Sequence, residues 1–226
     1  MDRFTKVTFN SSGSWTCPAG VTRVLVWGMG GGASGCGGLN SSNYGHGGVG
    51  QSLQAVVLDV VPNTTYTITI GAGGTATTSV TGNPGGNTTF GALMTWAGAP
   101  AKVGGVTGGK AYGIFRYRTV VTASNQEAYA AGGEGNTNPP LYGYPARNGL
   151  SAAPGLASGA FYGGGGGMGG EGLGGNGGNG SSVGAGANGF AAAANTGAGG
   201  GGGGMGSPAS SGGAGGSGQM IIMCVS

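Results

Sequence analysis

Met220-Ile221-Ile222-Met223-Cys224-Val225 closes a tract, residues 159–218, that is built from glycine blocks, with 163–167 and 199–204 as uninterrupted glycine runs. The hexapeptide is apolar throughout and of strand length, and a strand must find partners for its backbone N–H and C=O groups. A flexible glycine tail has no reason to end that way. The tract before it therefore reads as folded, and the two ends of the chain are expected to meet.

Glycine supplies 62 of the 226 residues and charged side chains only 6%, a balance that could signal disorder. Disordered chains, however, are usually highly charged and poor in rings, whereas this one holds eight Tyr, six Phe and three Trp. Glycine leaves little side chain to bury and loses the most backbone entropy on folding, so a conventional core is out of reach for the second half. Collagen needs a strict Gly-X-Y repeat; none is present, and prolines number only nine. What remains is polyglycine II, a left-handed helix of about three residues per turn and about 3.1 Å rise. Such helices pack side by side because no Cβ intervenes, joined by N–H···O=C bonds and helped by Cα–H···O contacts. The expected fold class is mainly β plus polyglycine II: a small antiparallel β-layer formed by the N- and C-terminal ends, joined to a bundle of packed glycine helices, with no α-helical core.

The first hundred residues carry the β-signals. Thr65-Tyr66-Thr67-Ile68-Thr69-Ile70 alternates, which puts Tyr66, Ile68 and Ile70 on a buried face and the threonines on the other. Residues 21–27 and 53–61 are further β-branched runs, Pro62-Asn63 is a turn signal, and 87–90 with 93–96 predict a hairpin around Gly91-Ala92. Glycine stretches follow the strands directly, at 28–38 and 71–74, so a strand leaving the β-layer is expected to continue as an extended glycine segment. Residues 212–218 ahead of the final strand would be the same unit run backwards. No polar linker separates two cores, and the organisation reads as 1–98 β-rich, 99–162 loop-rich and 163–226 glycine segments with the return strand, in one continuous fold.

In the loop-rich region aromatics and charges reappear, among them Tyr129, Phe161, Tyr162, Lys102, Lys110, Glu127 and Glu134. Thr119-Val120-Val121-Thr122 has strand character, while Pro139-Pro140 and Tyr144-Pro145 exclude regular structure nearby. Long irregular loops on a rigid scaffold are where recognition usually resides, and Tyr-, Gly- and Ser-rich loops give large contact area for little entropy. The contact residues expected here are Tyr112, Phe115, Arg116, Tyr117, Arg118, Tyr142, Tyr144 and Arg147.

Several function classes are disfavoured. A net charge of +3 from eight scattered basic residues offers no dense stripe for nucleic acid. The longest apolar run, six residues, is too short to span a bilayer, and no hydrophobic stretch follows Met1-Asp2-Arg3-Phe4 to make a signal peptide. Cys17, Cys36 and Cys224 form no CxxC and are odd in number, so neither a disulfide framework nor a zinc site is indicated. Without a secretory signal, the Asn-X-Ser/Thr triplets at Asn10, Asn40, Asn63, Asn87 and Asn179 read as chance in a Ser/Thr-rich chain. Synthesis in a reducing cytoplasm is expected.

Catalytic and cofactor motifs fail on context. Gly28-Met29-Gly30-Gly31-Gly32-Ala33 follows a strand as a dinucleotide fingerprint does, but Ser34-Gly35-Cys36-Gly37-Gly38 cannot hold the required helix, and the next acidic residue is Asp59. Residues 104–110 open like a phosphate-binding loop, yet Ala111 stands where Ser or Thr must ligate magnesium. His46 is the sole histidine and lacks a GxSxG elbow to serve; a loop histidine bonded to solvent or backbone is the plainer reading. Glu127 and Glu134 invite a glycosidase reading, though two loop glutamates are more often solvated. No cofactor, no metal and no enzymatic activity are expected.

Gly13-Ser14-Trp15-Thr16-Cys17-Pro18-Ala19-Gly20-Val21-Thr22-Arg23-Val24, the glycine run after it, and Val61-Pro62-Asn63-Thr64-Thr65-Tyr66-Thr67-Ile68-Thr69-Ile70-Gly71-Ala72-Gly73-Gly74 together resemble the glycine-rich domain of bacteriophage and prophage tail proteins. The return strand after Gly218 resembles that domain's ending. In character the glycine blocks are similar to the polyglycine sandwich of T-even-type phage tail-tip adhesins. This sequence lacks their separate fibre-attachment domain and has longer non-glycine stretches in the middle.

The resemblance implies a virion protein whose loops bind a bacterial outer-surface protein or glycan. Its other partners would be fibre, tail or capsid proteins, with a homo-oligomer allowed and neither nucleic acid nor membrane insertion involved. The leading expectation is a non-catalytic receptor-binding adhesin or fibre tip. A structural decoration protein of capsid or tail is the alternative, and an ice-binding protein, which needs an evenly spaced Thr/Ala face, is the third.

Overall fold

The computed structural model of the chain describes residues 4–40, 45, 47–101, 174, 175, 178, 185–204 and 206–225. Among these there are ten strands and no helix: β1 (Phe4–Phe9), β2 (Gly13–Thr16), β3 (Arg23–Met29), β4 (Gly38–Asn40), β5 (Gln54–Asp59), β6 (Thr65–Thr69), β7 (Thr88–Phe90), β8 (Met94–Trp96), β9 (Gly206–Ser210) and β10 (Gln219–Val225). One antiparallel sheet has the order β1-β10-β3-β5, a second β2-β6-β7-β8, and β4 pairs with β9 in a short ribbon. The terminal strands do meet, with Phe4 opposite Val225 and Phe9 opposite Met220.

The expected strands lie close to where the sequence puts them. β3 begins at Arg23 rather than Val21 because Val21 is still inside a turn, its N–H donating to Pro18 O at 3.3 Å. The alternating stretch forms β6, paired with β2 so that Tyr66 stands opposite Trp15. Its apolar face turns inward, with Ile68 fully buried and Tyr66 half-buried. Pro62-Asn63 makes the expected turn, Asn63 taking a φ of 58° and donating its N–H to Cys17 O. The β7–β8 hairpin turns at Gly91, whose φ of 49° suits a residue without Cβ.

The core is the gap between the two four-stranded sheets. Val24 and Val26 of β3 with Met220, Ile222 and Cys224 of β10 face Trp15, Ile68, Phe90 and Trp96 from the other sheet. Three rings form its centre: Trp15 and Phe90 have centroids 5.8 Å apart, and Tyr66 and Phe90 5.1 Å. Fully burying a side chain such as Ile68 or Phe90 contributes about 1.5–3 kcal/mol, which allows this modest sandwich to hold the chain ends together.

Beyond the sandwich the strands run on as glycine-rich segments. In residues 31–37, the N–H groups of Gly31, Ser34 and Gly37 donate to Gly86, Asn83 and Ser79; those of Gly32 and Gly35 donate to Gly216 and Gly213; and Ala33 donates to Val49, all at 2.8–2.9 Å. Carbonyls of the same stretch accept from Ala99, Gly74, Gly200 and Gly203. The segment is thus bonded to six others, three through its donors and three through its acceptors. Donors in a β-strand alternate between two sides, so rotation through three neighbours makes a bundle and not a sheet. The same three-residue step recurs elsewhere: Gly45, Gly48 and Gln51 donate to Gly203, Gly200 and Gly197, and Gly212, Gly215 and Gly218 donate to Thr77, Gly74 and Gly71.

Glycine is what allows this spacing. A Cβ at Gly31 would collide with the Ala72 carbonyl, at Gly35 with that of Gly201, and at Gly215 with that of Gly32. Side chains survive in the bundle interior at a few positions: Ala33, Ser34 and Cys36 are fully buried. Ser34 is bonded there, its Oγ accepting the Asn83 N–H at 2.7 Å.

Candidate recognition surface

Ala101 and Gly174 are the described residues on either side of the interval 102–173. All eight sequence-derived contact residues, Tyr112, Phe115, Arg116, Tyr117, Arg118, Tyr142, Tyr144 and Arg147, fall in this interval with Glu127 and Glu134, and these, like His46 elsewhere in the chain, lie outside the described residues. The two points of attachment are described. Ala99 donates to Gly31 O at 2.8 Å and accepts from Gly85, while Gly175 donates to Gly199 O at 2.9 Å and Gly178 to Gly202 O at 2.8 Å. Gly200 in turn donates to Ala33 O, so the described flanks of the interval lie near one level of the bundle, two to four residues beyond the end of β3.

Further along the bundle is a polar turn over residues 75–81. The turn is tied to neighbouring segments by Gly37 N–H donating to Ser79 O and Gly212 N–H to Thr77 O, both at 2.8 Å. Its own hydroxyls organise it: Thr77 Oγ1 accepts from Ser79 N–H and Ser79 Oγ from Thr81 N–H, each at 3.1 Å. Asn83 Nδ2 donates to both the carbonyl and the hydroxyl of Thr75. This turn offers hydroxyls and carbonyls without charge, a surface suited to hydrogen bonding with polar ligands and not to acid–base chemistry. The sequence reading missed it, although the run Thr75-Ala76-Thr77-Thr78-Ser79 was a visible signal.

Charge is confined elsewhere. Lys6, Arg23 and Asp59 are the charged side chains among the described residues, and all three project from the outer face of the β1-β10-β3-β5 sheet. Arg23 Nε donates to Asp59 Oδ1 at 2.8 Å, with both side chains mostly in water. The hydrogen bond from Asp59, then its charge, raise the Arg23 pKa. Beside them a groove of about 400 Å³ is lined by Gly20, Val21, Thr22, Leu25, Val57 and Met223, and Cys224 reaches it from the core. Burial pushes the Cys17 thiol up, with the neighbouring Cys224 adding to the effect, and burial alone pushes Cys224 up. Cys17 donates its S–H to Val21 O at 3.2 Å. Both thiols are free and held protonated. Among the described residues no group of His, Cys, Asp and Glu could hold a metal ion, and no helix is long and apolar enough to cross a membrane.

With this geometry in view, the family assignment is direct. The family model described as a glycine-rich domain matches residues 7–225. The chain belongs to the glycine-rich domain family. The match takes in both the sandwich and the bundle and covers nearly the whole chain. No curated protein matches the chain.

Proposed function

We propose that the glycine segments are polyglycine II helices and that the protein is a bacteriophage virion appendage, a non-catalytic adhesin or fibre tip that binds a receptor on the bacterial surface. The helix assignment rests on the rotation of donors through three neighbours, since a helix of about three residues per turn sends successive N–H groups about a third of a turn apart. In a bundle of such helices each member can donate to three neighbours and accept from three, as residues 31–37 do.

The observation that carries the function is the placement of the Tyr- and Arg-rich interval 102–162 in a chain whose scaffold is nearly chargeless and backbone-bonded on both sides of it. A scaffold held by hydrogen bonds across the whole bundle has little internal freedom of its own left to lose, and preorganisation of that kind lowers the entropic cost of binding. Tyrosine and arginine are the side chains most often central to interfaces. The resemblance to phage tail proteins supplies the biological setting, and the partners would be a bacterial outer-surface protein or glycan on one side and fibre, tail or capsid proteins on the other.

The test is binding of labelled full-length protein to a panel of bacterial strains, beside variants in which Tyr112, Tyr117, Tyr142 and Tyr144 are replaced by alanine and whose circular dichroism matches the parent. Saturable binding to particular strains, lost in the variants, is the expected result. Absence of binding to every strain overturns the adhesin reading in favour of a structural decoration protein. The helix assignment has its own test: NMR couplings across hydrogen bonds from Gly31, Gly32 and Ala33 N–H must report Gly86, Gly216 and Val49 carbonyls respectively.

A further inference from the structure

Antiparallel sheets with one face on a core usually turn polar side chains to the other. The β1-β10-β3-β5 sheet does so only in part. Its inward residues include Val7, Ile222, Val24 and Leu58, and besides the Arg23–Asp59 pair its outward set is Lys6 and Thr8 of β1, Ile221 and Met223 of β10, Leu25 and Trp27 of β3, and Ala55 and Val57 of β5. These outward residues align in two cross-strand rows: Lys6, Met223, Leu25, Val57, and Thr8, Ile221, Trp27, Ala55. Leu25, Trp27, Ile221 and Met223 are only half-buried and Val57 is 61% exposed. The sheet therefore has an apolar middle on its open side, a pattern associated with protein contact.

We propose that this face packs against the same face of a second copy of the chain, in an aligned sheet-on-sheet dimer. The distribution of charge is the reason for a second copy. Lys6 stands on one edge strand and the Arg23–Asp59 pair lies at the other edge, with Met223 and Leu25 between, so a carboxylate of which Arg23 holds one oxygen can meet a lysine from the opposite rim of a second copy. A two-fold axis parallel to the strands lays β1 of one copy over β5 of the other and keeps each residue's height along the strand. Lys6 then stands over the Val57–Asp59 end of the facing β5, and the symmetry makes this contact twice. Facing sheets lie about 10 Å apart, a gap that a lysine stem can largely cross while its methylenes cover apolar surface. Arg23, the remaining charge on the face, holds Asp59 at 2.8 Å and keeps the carboxylate at the rim. The groove beside Leu25, Val57 and Met223 opens on the same face and would take side chains of the facing copy. A face built for an unrelated partner has no need to be its own complement.

The experiment is sedimentation equilibrium of the full chain over a wide concentration range, which reads mass and is independent of receptor binding. A reversible dimer is expected. Val57→Lys, at a position exposed enough to leave the fold unchanged by circular dichroism, should sediment as a single chain, and Lys6→Glu should weaken dimerisation roughly tenfold. Carbodiimide treatment of the parent should join Lys6 to Asp59 in the dimer band. Three strand spacings of about 4.8 Å separate the two edge strands within one copy, too far for a zero-length link inside one chain. A single-chain mass at every concentration overturns the proposal, including the case in which another virion protein is found on this face. So does a dimer that Val57→Lys leaves intact.

Discussion

The indole of Trp96 occupies the space that a side chain at residue 28 would need: a Cβ on Gly28 would stand 2.6 Å from Cε2. Gly28 is the point where β3 is about to become the first glycine segment, and Trp96 is the last residue of β8 before the chain leaves on its own glycine segment. The pair therefore joins the two sheets where sandwich gives way to bundle. Gly28→Ala inserts a methyl into an occupied site and should destabilise the fold by about 1–3 kcal/mol, read as a lower urea midpoint with an unchanged slope.

Within the bundle the penalty should be larger, because the obstacle is backbone. A Cβ at Gly35 meets the carbonyl of Gly201, which is held in place by its bond from Gly213 N–H. Gly35→Ala should cost about 3 kcal/mol or more, at or beyond the upper end of the usual overpacking range. Gly13→Ala is the control: its new methyl meets only the Phe9 ring at 3.6 Å, and the change should stay within about 0.5 kcal/mol.

Ser34→Ala tests the polar side of the bundle. The hydroxyl of Ser34 is the acceptor for Asn83 N–H, and Ser34 is fully buried. Removing it leaves that N–H without its acceptor, at a cost of about 1–3 kcal/mol. Equilibrium unfolding gives the magnitude, and hydrogen exchange at Asn83 should accelerate more than exchange at Gly31.

The thiols of Cys17 and Cys224 set an alkaline limit. Burial raises both pKa values in the folded protein. As pH climbs past the ordinary thiol value, the unfolded chain loses these protons first and the folded chain resists. Stability is then fully present below the unfolded pKa and falls as pH rises through the folded one. Parent protein should lose stability between neutral and strongly alkaline pH more steeply than the Cys17→Ala/Cys224→Ala variant, as measured by urea midpoints across that range.

Much of the sandwich is legible in the chain because its signals are local. Thr65-Tyr66-Thr67-Ile68-Thr69 alternates, Pro62-Asn63 turns, and 88–90 and 94–96 flank a glycine; each feature lies within a few residues of itself. β1 is less legible, since in Phe4-Thr5-Lys6-Val7-Thr8-Phe9 only Val7 and Phe9 of the apolar residues share the inward side and Phe4 has the opposite parity. β4 and β9 are less legible still, since Gly38-Leu39-Asn40 and Gly206-Ser207-Pro208-Ala209-Ser210 carry little strand propensity and become strands only by pairing with each other. The polar turn at 75–81 is visible as a Ser/Thr run but its place in the bundle is not, because that depends on Gly37 and Gly212 donating to it from distant segments.

By itself the sequence determined that this chain is mainly β, that its ends meet, and that its glycine tracts must be satisfied through the backbone, because glycine offers nothing else to bury. It could not determine which glycine segment lies beside which. Every such segment presents nearly the same N–H and C=O groups, so propensity is silent on the choice. The selection is made where the few non-glycine residues fit, at Ala33, Ser34 and Cys36, and by the sandwich, which sets the height at which each strand enters the bundle. The gathering of Lys6, Arg23 and Asp59 on one sheet face is likewise a tertiary fact, since strand register alone brings residues so distant in sequence to a common surface.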